Sequence, residues 1–388
     1  MKIRNVIKLV PLSMIGYAAS SIKSKLSLWY PDSFTIYAQV KHNGGIPTLF
    51  LDGHPTHYSG IRVSALSPTH WGHVNWSEEH PLNKDSNTAQ RTAKTCTQIY
   101  ALLFIICSIF IYCSCCAQSI VNEGYGDYLL VLKGEFQMGD NYNEGAAHEK
   151  PVHTVYLDNY YIGKYKVTNG EYKKFMDDCG YATEIYWSAG GYNTCGTRPL
   201  YWDNPTYRGG GIPGNEKFPV IGVNWYEANA YCLWLSMKTG KEYRLPREAE
   251  WEKAARGTTQ RKYPWGNSLD GSYANYDNSG DPFDNITPVD YYDGDAHDNF
   301  QTHCNASPFG VFDMAGNIWE WCSDWYNSDY YSGSPSFNPT GPASGKNKVI
   351  RGGSWKSVPA TLRSSNRGGN DPPVLKTFTL GFRCVREY

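Results

Sequence analysis

The pattern of apolar and polar positions divides the chain into unequal stretches. Residues 1–98 hold short strand-like runs. The clearest is Thr48–Asp52 (TLFLD), which lies between Gly-Gly and Gly-His turn signals. Ile99–Ala117 is a stretch of 19 residues without a charge, apolar on every side, and long enough to cross a bilayer as a helix. Arg91 and Lys94 precede it and Glu123 is the first charge after it, so the positive-inside rule places the remainder of the chain outside the cytoplasm. The run SCCAQS at its end resembles a signal-cleavage region or a lipoprotein box around Cys115. Residues 118–127 form a linker, and a domain occupies 128–388.

Within that domain, Leu129–Leu132 and Val152–Leu157 are expected strands. Three helices carry explicit start and stop signals. Thr168 and Glu171 form a capping box that opens a helix through Phe175. Asn224 and Glu227 cap a second, which runs through Ala228, Cys232 and Trp234 to a stop at Gly240. Pro246 opens a third, Arg247 to Arg256, which stops at Gly257. No long periodic segment follows. Residues 258–388 are expected to be turns and short strands held by disulfides, bound ions or packed aromatics such as Trp265, Trp319, Trp321, Trp325 and Trp355.

Composition sharpens this picture. The 31 Tyr, 13 Trp, 38 Gly and 22 Pro, with 19% charged residues, describe a loop-rich fold around large rings. A net charge of −1 and the lack of a basic stripe argue against nucleic acid as a partner. Of 11 Cys, five lie in or beside the apolar stretch. The other six (Cys179, Cys195, Cys232, Cys304, Cys322, Cys384) suit disulfides in an oxidising compartment, with buried reduced thiols as the alternative. The pairs His54/His57 and His70/His73 have metal-ligand spacing, but they sit in Pro/Gly/Ser-rich sequence without a Cys or carboxylate at ligand spacing, so they are read as ordinary loop residues.

Ten segments in fixed order then point to one family. They are GEFQMG (134–139), EKPVH (149–153), YKVTNGEY (165–172), PVIGVNWYEANAYCLW (219–234), YRLPREAEWEKAARG (243–257), YPWGN (263–267), FGVFDMAGNIWEWCSDWY (309–326), RGGSW (351–355), LRSSNR (362–367) and GFRC (381–384). Together they resemble the formylglycine-generating enzyme, or sulfatase-modifying factor, family over roughly 260 residues. The resemblance implies an α+β domain, a variant of the C-type lectin fold with little regular secondary structure.

The resemblance also implies calcium, a hard cation that takes six to eight oxygens and tolerates irregular backbone. One implied site uses the side chains of Asp313 and Glu320 with the carbonyls of Gly316 and Ile318. The other uses the side chains of Asn275 and Asp281 with the carbonyls of Tyr276 and Phe283, Asp284 being an alternative to Asp281. A disulfide between Cys232 and Cys384 is implied in the same way. Cys179 and Cys195 flank a Gly/Tyr-rich loop that a local bridge would close, leaving Cys304 and Cys322 either paired or free.

The family's oxidases convert a substrate cysteine to formylglycine with two thiols that hold copper(I), between the RGGS motif and the paired arginines. Here that interval is Lys356–Leu362, KSVPATL. Ser357 stands at the first Cys position and nothing supplies the second. A hydroxyl stays protonated at neutral pH and is a hard donor, so copper is not expected. Trp319, Ser354 and Arg363 are the expected groove residues, while Arg363 and Arg367, spaced R-x-x-x-R, read first as structural. The chain has no G-x-S-x-G, P-loop or H-E-x-x-H. The expectation is an extracytoplasmic, non-catalytic binding or scaffold module for a peptide, glycan or protein partner, secreted or tethered by residues 99–117. The competing expectation is a formylglycine-generating oxidase or another oxidoreductase.

Overall fold

The computed structural model describes residues 119–388, apart from the side chain of Asn370, and the backbone of five strands between Val6 and Val74. Those strands belong to a unit spanning Met1–Ala101, and the second unit spans Leu102–Tyr388. In the first unit β1 (Val6–Ile7), β2 (Thr35–Asn43), β3 (Ile46–His54), β4 (Ile61–Ser64) and β5 (Gly72–Val74) form an antiparallel sheet in the order β1-β5-β4-β3-β2. Strand β3 contains the expected Thr48–Asp52 run, and Asn43 pairs with Ile46 across the β2–β3 hairpin. His57, His70 and the apolar stretch Ile99–Ala117 lie outside the described residues. Among the described residues no helix is long and apolar enough to cross a membrane.

The second unit is α+β. Five strands, β6 (Ile120–Asn122), β7 (Asp127–Val131), β8 (Gly134–Met138), β9 (His153–Leu157) and β10 (Tyr160–Gly163), lead into α1 (Asn169–Asp177) and α2 (Trp225–Thr239). β11 (Tyr243–Arg244) and α3 (Glu248–Arg256) follow, and after a small hairpin of β12 (Ala296–His297) and β13 (Phe300–Gln301) come β14 (Trp319–Trp325), β15 (Lys348–Arg351), β16 (Arg367–Asp371), β17 (Leu380–Gly381) and β18 (Val385–Glu387). One sheet has the order β11-β18-β10-β7-β6 and another β16-β15-β14-β17, with β8 and β9 as a separate hairpin.

The helices start and stop where the caps require. Thr168 accepts from the Glu171 amide and Glu171 reaches back to the Thr168 amide; Asn224 and Glu227 repeat the arrangement. Gly240 ends α2 in the left-handed region, φ 67°, which costs an L side chain energy and glycine nothing. Helix α3 begins at Glu248, one residue later than its Pro246 signal suggests.

The interior is aromatic. Tyr172, Phe175, Tyr231, Trp234 and Phe382 pack α1, α2 and the C-terminal segment into one cluster, with the Tyr172 and Tyr231 rings stacked at 5.5 Å. Such pairs contribute about 0.5–1.5 kcal/mol each beyond the area they bury. A second cluster sets Trp251 of α3 against Met314, Val349 and Val385. Cys232 of α2 and Cys384 lie inside the first cluster with their sulfurs 3.5 Å apart, as free thiols.

Candidate functional site

The loop that leaves β15 begins with Gly352 (φ 97°) and Gly353 (φ 76°), whose left-handed backbone turns the chain sharply. Ser354 and Ser357 follow, both buried. The Ser354 amide donates to Ser357 Oγ at 2.9 Å, and the two hydroxyls lie 3.3 Å apart. Ser357 thus closes a tight turn with its own hydroxyl. A short 3-10 turn, Pro359–Leu362, then delivers the chain to Arg363.

Both arginines are locked by carboxylates. Arg363 grips Glu149 with two bonds, 2.7 and 2.9 Å, and Ser365 donates to the same carboxylate at 2.9 Å. Burial by itself raises the Glu149 carboxyl, yet the hydrogen bonds and charge of Arg363 outweigh it and leave the group below its usual range. Arg367 grips Glu248 of α3 at 2.7 and 2.9 Å and lies over the Tyr331 ring at 4.1 Å. These forks fix the whole 354–367 segment against α3 and the 3-10 turn Ala147–Glu149.

Beside this segment lies a cavity of about 330 Å³. Its walls include Trp319, Tyr326, Arg367, Asp371, Thr377 and Thr379. Of Trp319, Ser354 and Arg363, Trp319 lines it, while Ser354 and Arg363 do not. Burial raises the Asp371 carboxyl, which has no cationic partner among the described residues. Asp371, Thr377 and Thr379 carry no motif, and their shared position arises only when β16 and β17 join the sheet.

The residues implied as calcium ligands fall in two places. Glu320 is fully buried and fully engaged. Its Oε1 accepts from Lys166 Nζ at 2.7 Å and Arg383 Nη2 at 2.9 Å; its Oε2 accepts from Arg383 Nε at 2.6 Å and Trp251 Nε1 at 2.9 Å. Burial raises its carboxyl, but Arg383 and Lys166 prevail and hold it at about 2. The Asp313 carbonyl accepts from the Lys166 ammonium, Asp313 Oδ1 accepts from Asn305 at 2.8 Å, and Asp313 Oδ2 is buried without a donor. Gly316 (φ 83°) and the buried Ile318 lie between them. The ammonium thus lies on the Asp313 carbonyl and on Glu320, whose two oxygens are both already taken by cationic or N–H donors, while the Asp313 carboxylate makes no ion pair among the described residues.

The other set is arranged differently. Asp281 accepts from Phe283 N at 2.9 Å, Ser279 Oγ at 2.6 Å and Tyr292 OH at 3.2 Å, and no cation pairs with it among the described residues. The Tyr276 carbonyl accepts from Ser279 N, and Asn275 Nδ2 donates to the Asn285 carbonyl at 2.6 Å. Among the described residues no group of three or more His, Cys, Asp or Glu converges as a ready metal site. Cys195 and Cys322 are buried, Cys179 and Cys304 exposed, and all are free thiols.

The unit is thus a mixed α+β domain in which the segment after the RGGS turn is clamped through Arg363 to the 3-10 turn Ala147–Glu149 and through Arg367 to helix α3. The chain belongs to the family of the sulfatase-modifying factor enzyme 1-like domain, whose profile matches residues 118–388. It is 37% identical over 268 residues to the serine/threonine-protein kinase pkn1 of Chlamydia caviae, covering 68% of this chain and 38% of that protein. It is 33% identical over 292 residues to the formylglycine-generating enzyme of Streptomyces coelicolor, covering 66% of this chain and 87% of the relative. The fold is similar to that of PvdO from Pseudomonas aeruginosa, with a TM-score of 0.55 and 25% identity, over 70% of this chain and 98% of that one. This chain therefore spans well under half the length of the kinase relative.

Proposed function

We propose that residues 128–388 form a non-catalytic, extracytoplasmic binding or scaffold module. The observation that carries this reading is Ser357. It stands where the family's oxidases place their first copper-binding thiol, and its hydroxyl is spent on the Ser354 amide. Two hydroxyls are hard donors, and soft copper(I) favours thiolates. Both fully buried sulfurs of the neighbouring pair, Cys232 and Cys384, belong to the aromatic core rather than to the cavity wall.

The cavity supports the binding half of the reading. Trp319 and Tyr326 line it, the Tyr326 ring already facing the Arg367 guanidinium at 5.2 Å, and Asp371 offers a half-buried carboxylate with no ion-pair partner among the described residues. Rings and a lone carboxylate together favour a cationic group, so the ligand fitted best is a peptide segment with a basic side chain. Calcium belongs, in this reading, to the Asn275–Phe283 loop, where Asp281 has no cation of its own. The apolar stretch 99–117 and the facing sulfurs of Cys232 and Cys384 support an extracytoplasmic location.

The test is a copper(I) titration of residues 118–388 under reducing conditions, followed by an aldehyde assay on a cysteine-containing sulfatase-motif peptide. The expected result is no tight copper at the Ser357 loop and no aldehyde, with Lys- or Arg-containing peptides binding in a way that Asp371→Asn weakens. Stoichiometric copper with turnover would overturn the reading in favour of the oxidase, the reading supported by the likeness to the Streptomyces coelicolor enzyme.

A further inference from the structure

The loop Asp313–Glu320 carries two acidic residues in a buried position, and what neutralises them comes from far away in the chain. Lys166 lies 147 residues before Asp313. Its side chain is fully buried. Its backbone position is fixed by the neighbouring Val167, whose amide donates to the Phe382 carbonyl and whose carbonyl accepts from Val220, both at 2.9 Å. From there the ammonium reaches the Asp313 carbonyl and Glu320 Oε1.

We infer that Lys166 is the resident cation of this loop, filling with an ammonium the place that the family resemblance assigns to a calcium ion, so that the loop is ordered without metal. The acceptors it meets, one backbone carbonyl and one carboxylate, are the oxygen types a hard cation takes. The charge count closes as well. Asp313 and Glu320 supply two negative charges, and Lys166 and Arg383 supply two positive ones, with Arg383 also anchored on the carbonyls of Gly163 at 2.9 Å and Phe312 at 3.0 Å. A divalent ion added to this closed, neutral cluster would bring two uncompensated charges into a buried space.

Taking the ammonium away reverses the situation. The Asp313 carbonyl and Glu320 Oε1 lose a donor, and Asp313 Oδ2 already has none. The cluster is then left with a net negative charge and unmatched oxygens, the conditions under which a hard cation is expected to enter. One substitution thus converts a metal-free loop into a metal-dependent one.

The experiment compares the full chain with Lys166→Ser and Lys166→Met after chelator treatment. Isothermal titration with calcium chloride should count one more ion in Lys166→Ser than in the wild type. Its Tm should rise by roughly 5–10 °C when calcium is about 100-fold above Kd, beyond any rise in the wild type. Lys166→Met fills the space with an apolar chain; it should melt below the wild type and gain no ion. Equal calcium counts in wild type and Lys166→Ser would overturn the inference. If Lys166→Ser does not fold, wild-type crystals grown in calcium chloride decide. An anomalous calcium peak at Glu320 would refute the inference, and an ammonium there with no peak would sustain it. Because the inference rests on a difference in count, loss of calcium from the Asn275–Phe283 loop would lower both counts equally and leave it standing.

Discussion

The Glu149–Arg363 pair offers a direct measure of how firmly the 354–367 segment is held. Glu149 is fully buried and Arg363 is 4% exposed. Glu149→Ala removes the acceptor of two guanidinium bonds and of the Ser365 hydroxyl, and also of the Ala146 amide at 3.2 Å. Asp140, 3.8 Å from the guanidinium, stays in place and offsets part of the loss. Breaking a buried ion pair by deleting one partner costs about 3–5 kcal/mol, because the other charge remains without compensation. Arg363→Met should cost a similar amount. The double variant Glu149→Leu/Arg363→Met should cost less than the sum of the single losses by about 2–3 kcal/mol, since neither charge is then stranded. Urea unfolding at pH 7, followed by tryptophan fluorescence, reads all three. The pH dependence is fixed in sign. Arg363 holds the folded carboxyl below the ordinary Glu value of 4.5, so the stabilisation is present above that value and is lost as pH falls through the lower folded one. Wild type should lose this contribution in acid, and Glu149→Gln should show a flatter profile. Losses under about 1 kcal/mol for Glu149→Ala, or additive single effects, would show that the segment is not held by this pair.

Other outcomes follow from the same structure. Burial, with Glu248 beside it, pushes the Asp324 carboxyl up to about 7, so the folded protein binds a proton that the unfolded chain releases above the ordinary value of 3.8. Stability should therefore fall as pH rises from about 4 to 7, by at most about 4 kcal/mol, and Asp324→Asn should remove that slope in melting curves at pH 5 and 8. Gly316→Ala should lower the urea midpoint by the equivalent of about 2–5 kcal/mol, because φ is 83° and a Cβ would press into the Asn275 carbonyl; an unchanged midpoint would contradict this. Protein from an oxidising compartment should give a Cys232–Cys384 linked peptide in non-reducing mass spectrometry, as the sulfurs face each other; a link from Cys384 to Cys322 would contradict the packing.

How much of this was legible beforehand depended on distance along the chain. Helix signals work over three or four residues, so Thr168/Glu171, Asn224/Glu227 and Gly240 marked α1 and α2 without any tertiary knowledge. Ordered motifs identified the family, and the Ser at 357 was readable one residue at a time. The strands that build the groove were not. Strand β15 is buried at all four positions and β14 at four of seven, so neither shows the alternation that betrays a half-exposed strand. The roles of acidic and basic side chains were equally hidden. Glu320 and Asp313 were expected as calcium ligands because the family resemblance implies them, whereas a buried carboxylate takes whichever cation the fold brings nearest. That is Lys166, 154 residues from Glu320, just as Arg363 finds Glu149 across 214 residues. The sequence by itself determined the helices and the family, since these rest on local spacing and residue identity. Only the tertiary structure decided which charges neutralise one another and which rings and carboxylates face a cavity, because those energies depend on separations of a few ångströms between residues far apart in the chain.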